Sequence, residues 1–371
     1  MRMQVEERHA RILRIVRQRG SLRVAALAAE LRVSPVTVRR DVETLAERGD
    51  LRRQHGVVSW PEPAARAGTG PLVGPLIGMV VPAAAYYFGE IIRGAQAASA
   101  ALGGRLVLGI SDYGAEEDHR QIERLLRAGV NGLLLTPAWA SGVARPDEEA
   151  RVMGLGVPTV LVERRAAPGT AAGELDRVGS DHAHGAALAV RHLAGQGHRR
   201  IALAVRDSPT AFHLRAGYRS TLHSLGLPAP GKDPGADLDP AGNTLVFRAT
   251  RSEGFEAAAL DRLTEEADQG RVDAVLVHSD VDAIMLVQRL QARGMDVPRD
   301  LALVAYDDEL AALADIPLTA VAPPKRAVGE TAVHLLQRQL TAPAEAAEHR
   351  HVELLPELHI RASCGARGNP R

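Results

Sequence analysis

Residues 21–58 read SLRVAALAAELRVSPVTVRRDVETLAERGDLRRQHGVV, and the spacing of their apolar positions decides what this end of the chain is. Ala25, Leu27, Ala28 and Leu31 make a short apolar helical face, and Leu31-Arg32-Val33 forms a tight link after it. Ser34 suits an N-cap, and Pro35 takes the first helical position, where its missing N–H costs nothing. Val38, Val42 and Leu45 then recur at i, i+4 and i+7 and face inward. The same rotation turns Val36, Arg40 and Glu43 outward, with Thr37 and Arg39 on the flanks. Gly49 ends this helix, and Leu51–Val58 reads as a basic β-hairpin carrying Arg52 and Arg53. Upstream, Ala10, Ile12, Leu13 and Val16 mark a first helix from about Glu6 to Arg19, ending at Gly20.

A capped helix presented by a short turn and trailed by a basic hairpin is the winged helix-turn-helix arrangement, with the second helix free to enter the major groove N-terminal end first. That geometry assigns Ser34, Thr37, Arg52 and Arg53 to phosphates. It assigns Val36, Arg39 and Arg40 to base edges, arginine being suited to guanine. The charge agrees. Residues 1–58 hold 13 Arg, no Lys and 7 acidic residues, a balance of +6, so the neutral total leaves −6 for the remainder. A basic head on an acidic body suits polyanion binding by the head alone. The words VSPVTVRRDVETL and LRRQHG, within Glu6 to Val58, closely resemble the winged helix of DeoR-type bacterial regulators.

At 371 residues the chain exceeds one ordinary domain. The single cysteine, Cys364, excludes an internal disulfide framework and agrees with a reducing compartment. There is no run of eighteen apolar residues and no secretory h-region behind Arg2, Arg8, Arg11 and Arg14, so a cytoplasmic protein without a membrane partner is expected. This weighs against a transport solute-binding protein, which needs export. An enzyme is the other competitor. Against it, the chain has no Gly-x-Ser-x-Gly, and Gly68-Thr69-Gly70 lies in a linker without the Gly-Lys-Ser/Thr of a phosphate loop. Asp181-His182-Ala183-His184 is weak as a metal site, because histidines at i, i+2 on a helix do not share a face; a capping Asp with exposed histidines is expected. No cofactor is called for.

The head, residues 1–59, is followed by a Pro/Gly linker, 60–75, and the texture then changes. Apolar runs at Leu76–Val81, Leu106–Ile110, Gly132–Leu135, Thr159–Val162, Ile201–Val205, Ala274–Val277 and Leu301–Ala305 alternate with helix patterns at Gly89–Leu102, Glu116–Ala128, His184–Gln196, Thr210–Leu225, Gly254–Gln269, Val281–Arg293 and Arg326–Leu340. Such alternation implies parallel sheets covered on both faces, and its length implies two lobes with a cleft between them. Ala229–Asn243 reads as a surface loop and 365–371 as a tail. In order along the chain come IGMVVP, YYFGEIIRGAQAAS, AGVNGLLLTP, GVPTVLVERR, VGSDHAHGAALAVRHLAGQGHRRIAL, AGYRSTL, DAVLVHSDVDAIMLVQRLQARGMDVPRDLALVAYDD, IPLTAV and LLPELHIRAS. From Leu76 to about Cys364 they resemble the ligand-binding core of the LacI/GalR repressors. The resemblance implies an α/β fold, a periplasmic-binding-protein-like core of two doubly wound parallel sheets over 76–364, with chain crossings near 163–180, 306 and 322.

In open parallel sheets ligands sit beyond the carboxyl ends of the strands, which selects the polar residues after each run. Tyr86, Tyr87 and Phe88 are three of eleven aromatics, in consecutive positions, and flat rings suit a sugar's C–H face. Asp112, Glu163, Arg164, Ser279, Asp280 and Asp307 follow later runs, with Asp181 at the edge of the cleft. Carboxylates accepting from paired hydroxyls, and a planar Arg fork, suit a polyol. The family resemblance assigns effector contacts to Glu163-Arg164, Ser279, Asp280 and Asp307. The chain departs from the family pattern at Leu214, where an Arg is frequent, which leaves Arg215, one place on, as the candidate effector contact; it departs again at Ala322-Pro323-Pro324. The expectation is an allosteric repressor of carbohydrate-use genes that binds operator DNA as a homodimer and takes a small sugar as effector.

Overall fold

The computed structural model describes residues 8–9, 11–13, 15–16, 21–31, 33–34, 37–38, 40–42, 45, 52–54, 57–59, 74–139, 144–206, 208–227, 246–249, 257–341 and 348–365. They fall in two compact units, Met1–Pro71 and Leu72–Arg371. The linker from 60 to 73, the insert at 229–243 and the tail beyond 365 lie outside the described residues.

In the first unit, β1 (Ser21–Arg23) runs into α1 (Val24–Leu31), and the wing is β2 (Arg52–Gln54) and β3 (Val57–Ser59). β3 lies between β1 and β2 and is antiparallel to both, so the wing has a third strand. Ser21–Arg23 has one apolar residue in three, too little alternation to announce itself. Ile12, Val16, Leu27, Leu31, Val38, Val42, Leu45 and Val58 close one core, with Val38 and Val42 at 0 % exposure. Inside it Arg8 clasps Asp41 through Nε at 2.5 Å and Nη2 at 2.9 Å, and His9 Nε2 stands 3.2 Å from the same carboxylate. Burial pushes the Asp41 carboxyl up, but the bonds to Arg8 and His9 overcome this and hold it below its ordinary value. A buried, forked pair of this kind fixes how the first helix meets the one bearing Arg40.

The second unit contains two six-stranded sheets. In the first lobe β4 (Leu76–Val81), β5 (Arg105–Ile110), β6 (Gly132–Leu135), β7 (Thr159–Val162), β8 (Arg177–Ser180) and β14 (His351–Leu354) lie in the order β14-β8-β7-β6-β4-β5, all parallel. In the second lobe β9 (Ile201–Arg206), β10 (Val246–Ala249), β11 (Ala274–His278), β12 (Ala302–Tyr306), β13 (Thr319–Ala322) and β15 (Glu357–His359) lie in the order β10-β9-β11-β12-β13-β15, with only β15 antiparallel. Each sheet is buried on both faces. Val275 and Val277 join one cluster while Ala274 and Leu276 join the other, which is why the strands read as unbroken apolar runs.

The helices used below are α2 (Tyr87–Ala101), α3 (Ala115–Arg127), α4 (Pro146–Met153), α5 (His182–Gly195), α6 (Pro209–Ser224), α7 (Ala257–Asp268), α8 (Asp280–Ala292) and α9 (Lys325–Thr341). α9 returns to the first lobe and packs on α2 so closely that a Cβ on Gly94 would lie 2.0 Å from the Arg326 carbonyl oxygen. Glycine is required at that contact.

The chain passes between lobes at Ser180–His182, at Ala322–Lys325 and at Leu355–Pro356. The crossing expected near 306 is therefore absent: Tyr306 ends β12, whose next partner, β13, belongs to the same sheet. The third crossing was missed because it joins HVEL to ELH, two short, mostly exposed edge strands with weak apolar signal.

Candidate functional site

The carboxyl ends of both sheets meet around a cavity of about 640 Å³. Tyr86, Tyr87 and Phe88 enter it after β4, Asp112 and Tyr113 after β5, and Glu163 and Arg164 after β7. From the second lobe come His182, Ser208, Pro209 and Thr210, then His278, Ser279 and Val281, and Asp307 after β12. Among the described non-glycine residues, positive φ occurs at Tyr86, Asp112, Tyr113, Glu163, Asp307 and Asp308, and five of these six line the cavity. Left-handed backbone at residues with a Cβ is held only where surrounding structure enforces it, so conformational strain is concentrated at this cleft.

The charged groups there differ in what they have left to give. Glu163 is consumed by the protein: Tyr87 Oη donates to it at 3.0 Å, Ser180 N at 3.2 Å and Ser180 Oγ at 2.9 Å, with His182 Nε2 at 3.4 Å. Burial alone would raise its pKa, but the His182 contact and the Ser180 bonds hold it low. Glu163 thus orients Tyr87 and His182. Tyr87 is also braced edge-on by Phe88, with ring centroids 5.4 Å apart, and Lys325 Nζ stands 5.5 Å above its ring.

Asp307 is the opposite case. Its Oδ2 receives Tyr86 Oη at 3.3 Å and lies 3.8 Å from His278 Nε2, while Oδ1 is buried with no hydrogen-bond partner among the described residues. Burial raises its pKa against the opposing pull of His278 and Lys325. A buried carboxylate oxygen without a donor, at a cavity wall, calls for a donor from a ligand. Arg164, 7 % exposed, donates to the backbone oxygens of Pro137 and Glu163, at 2.8 Å each. Burial lowers its pKa, opposed by the field of Glu163.

Tyr86 ties the lobes together. Its phenol donates to Asp280 as well as Asp307, so a side chain from the first lobe sits between two second-lobe carboxylates, which with burial raise its pKa. Asp280 Oδ2 also accepts from the N–H groups of Leu310, at 2.5 Å, and Ala311, at 3.1 Å.

In the head, Ser34 Oγ accepts from Thr37 N at 3.2 Å, the bond of an N-cap, and Arg40 is exposed on the face opposite Val38 and Val42.

Residues 8–64 match the DeoR-like helix-turn-helix domain, and residues 190–364 match the periplasmic binding protein-like domain. An uncharacterized HTH-type transcriptional regulator from the aml 5′ region of Streptomyces limosus is 30% identical over 358 residues, covering 92% of this chain and 94% of its own. The ribose operon repressor of Escherichia coli strain K12 is 29% identical over 293 residues, 77% of this chain and 81% of its own. The solved complex of the transcriptional regulator CelR with cellobiose is 26% identical with a TM-score of 0.62, covering 89% of this chain and 91% of that one. The chain belongs with these transcriptional regulators, a DeoR-type winged helix-turn-helix head joined to a LacI-type, periplasmic-binding-protein-like core.

In this LacI-type core, Tyr86, Tyr87, Phe88, Asp112, Glu163, Arg164, Ser279 and Asp307 stand together at one cavity, and three residues expected with them do not. Asp181 caps α5, its Oδ1 accepting from His184 N at 2.9 Å. Asp280 is buried behind the wall and holds Tyr86 and the turn at Leu310–Ala311. Arg215 lies half-buried on α6 and does not line the cavity.

His182 corrects the expectation of exposed histidines: it is 5 % exposed, lines the cavity and has Nδ1 3.0 Å from Tyr306 Oη. No group of three or more metal-ligating side chains occurs among the described residues. His182, Tyr113 and Ser208–Thr210 are missed by the sequence reading, whereas His278 opens the His278-Ser279-Asp280 segment that the carboxyl-end rule selects. The carboxyl-end rule, applied to Ile201–Val205 as it was to the other runs, points to Ser208. Val36 and Arg39 lie outside the described residues, and Arg52 and Arg53 lie on β2.

Proposed function

We propose that this regulator is a cytoplasmic, homodimeric repressor of carbohydrate-use genes that holds operator DNA with its basic head and releases it on taking a sugar into the cleft. A single winged helix offers too little contact for strong specificity, which favours two heads on a repeated half-site. Ser34, Thr37, Arg52 and Arg53 anchor phosphates in this reading, and Val36, Arg39 and Arg40 meet base edges.

The observation that carries the effector half is Asp307 Oδ1: buried, without a donor among the described residues, and opposite Tyr86, Tyr87 and Phe88 at a 640 Å³ cavity. A sugar supplies what is lacking there, adjacent hydroxyls for the carboxylate and an apolar ring face for the aromatics. Arg164 and Ser279 complete the polar set. Because Tyr86 bonds Oδ2 of this carboxylate across the lobes, a ligand that donates to Oδ1 binds best where that interlobe contact holds Asp307 in place. That gives binding a differential effect on the two lobe arrangements, as allostery requires.

The ribose repressor and the cellobiose-bound regulator are named for sugars, which supports a carbohydrate effector. The same kinship supports a role as binding module rather than enzyme. The test is a thermal-shift screen of the full chain against mono- and disaccharides, since a ligand that binds only the folded state raises its melting temperature. One sugar should stand out, and Asp307→Ala should erase its effect. A sugar that stabilises the variant as well would remove Asp307 from the site.

A further inference from the structure

Lys325 does not line the cavity, yet its ammonium stands where the two lobes meet. It is 7 % exposed, at the end of the crossing from β13 and the start of α9. A lysine ammonium carries three donors and no acceptor. Here Nζ donates to the backbone oxygen of Asp307 and pairs with Glu309 Oε1 at 2.5 Å, both second-lobe groups. It also lies over the Tyr87 ring of the first lobe, 5.5 Å from the centroid.

The segment it grips is strained. Asp307 stands at φ 91° and Asp308 at φ 55°, left-handed backbone at consecutive residues that bear a Cβ. Such backbone persists only where its surroundings enforce it. Arg361 forks onto the Asp308 carboxylate at 2.6 and 3.0 Å, and Asp280 Oδ2 takes the N–H groups of Leu310 and Ala311. Arg361 follows β15 and Asp280 opens α8, so both belong to the second lobe and travel with the segment.

Lys325 rides on the first lobe instead. α9 packs on α2 without slack: a Cβ on Gly329 would lie 1.9 Å from the Ile91 carbonyl oxygen, as one on Gly94 would meet that of Arg326. The helix pair that carries Tyr87 therefore carries the ammonium as well. From there it reaches the residue whose Oδ1 is buried without a donor among the described residues.

We propose that Lys325 is a positioning residue for the effector: anchored on the first lobe, it holds Asp307–Glu309 in the arrangement that presents Asp307 Oδ1 to a ligand. This rests on the cleft being a sugar site. Lys325 then sets how much of the sugar-free protein already occupies the competent arrangement, and apparent affinity falls in proportion to that fraction. In a repressor released by its effector, sugar and operator favour opposite arrangements. Removing Lys325 therefore weakens sugar binding without weakening operator binding, whereas a folding defect lowers both.

The test compares Lys325→Met with the parent, both as full chains, by calorimetry with ribose, glucose and cellobiose and by anisotropy on the chain's own upstream DNA. The sugar that binds the parent should bind the variant about tenfold more weakly, the worth of one hydrogen bond. Operator affinity without sugar should be unchanged or higher. Lys325→Arg, which keeps the charge, should recover part of the sugar affinity. Glu309→Gln should cost about twofold to fivefold, as a partly exposed ion pair does, and should cost nothing further when added to Lys325→Met. It carries the test alone should Lys325→Met fail to fold.

Sugar binding undiminished in both Lys325→Met and Glu309→Gln, or losses that add in the double variant, would overturn the role of Lys325 and leave the sugar reading standing. Operator affinity that falls together with sugar affinity would do the same. Binding of none of the three sugars by the parent chain would sink the sugar reading and this inference with it.

Discussion

The face assigned here to DNA and the cleft assigned to the effector solve opposite problems. On the head the functional face is local: Val38, Val42 and Leu45 turn inward, and Arg40 is left outward by the same helical rotation. A buried ion pair there, Arg8 on Asp41, is internally satisfied and serves the fold. In the cleft the candidate groups come from seven chain segments between Tyr86 and Asp307 and, Asp112 and Tyr113 excepted, are buried or half-buried. There the useful group is the one left unsatisfied, Asp307 Oδ1, while Glu163 shows what a satisfied neighbour becomes. Surface charge projected from a rigid helix suits a polyanion read from outside. A buried, incompletely bonded carboxylate suits a small polar ligand that must be enclosed.

The sharpest attack on this contrast is Asp41→Ala. It leaves Arg8 buried without its carboxylate, and losing one partner of a buried pair costs about 3–5 kcal/mol, a large share of what so small a domain has. Circular dichroism should show the head melting and operator binding lost, with sugar binding retained by the core. The pH dependence has a definite sign. Asp41 is depressed in the folded head, so its contribution is present above the ordinary carboxylate range and fades as pH falls through the folded value. Retained operator affinity in the variant would break the claim that this pair is structural.

Asp307→Asn comes next. Trading this carboxyl acceptor for an amide should weaken sugar binding about 10-fold, the worth of one hydrogen bond. It should also raise the melting temperature of the ligand-free core. Burial lifts the pKa of Asp307, so stability is full below the unfolded value and falls as pH rises through the folded one; Asn removes that loss at neutral pH. Tighter ligand binding with lower stability would reverse the assignment.

Arg40→Ala should weaken operator binding by about 1–3 kcal/mol and relax preference at one base position, leaving sugar binding unchanged. Loss of both activities would make Arg40 a structural residue. Smallest is Ser34→Ala, which removes the bond to Thr37 N and costs the helix about 1 kcal/mol, visible as a modest drop in DNA affinity.

The same contrast explains what could be read from the chain. The head was legible because its core and its outward face follow from one helical repeat, and only the three-residue β1 escaped. Strand cores such as Leu76–Val81 and Thr159–Val162 were legible because sheets buried on both faces leave continuous apolar runs. Edge strands β14 and β15 were not, since exposed partial alternation over three or four residues carries no signal, and with them went the third crossing.

At the cleft, position after a strand found Tyr86 and Asp307. It could not distinguish Asp280, which turns behind the wall, from Asp307, which faces the cavity, because that depends on long-range packing. Nor could it foresee His182, whose place is set by Glu163 and Tyr306, 19 positions before it and 124 after.

The central claim is that the head's hold on its operator depends on what fills the cleft. Fluorescence anisotropy of the full chain on its own upstream region and on a shuffled duplex, titrated with the sugar that stabilises it, tests this directly. The account predicts preference for the upstream region and a change of roughly 5–150-fold in that affinity on sugar binding. Equal affinity for the two duplexes, or an operator affinity that does not move while the sugar demonstrably binds, would contradict it.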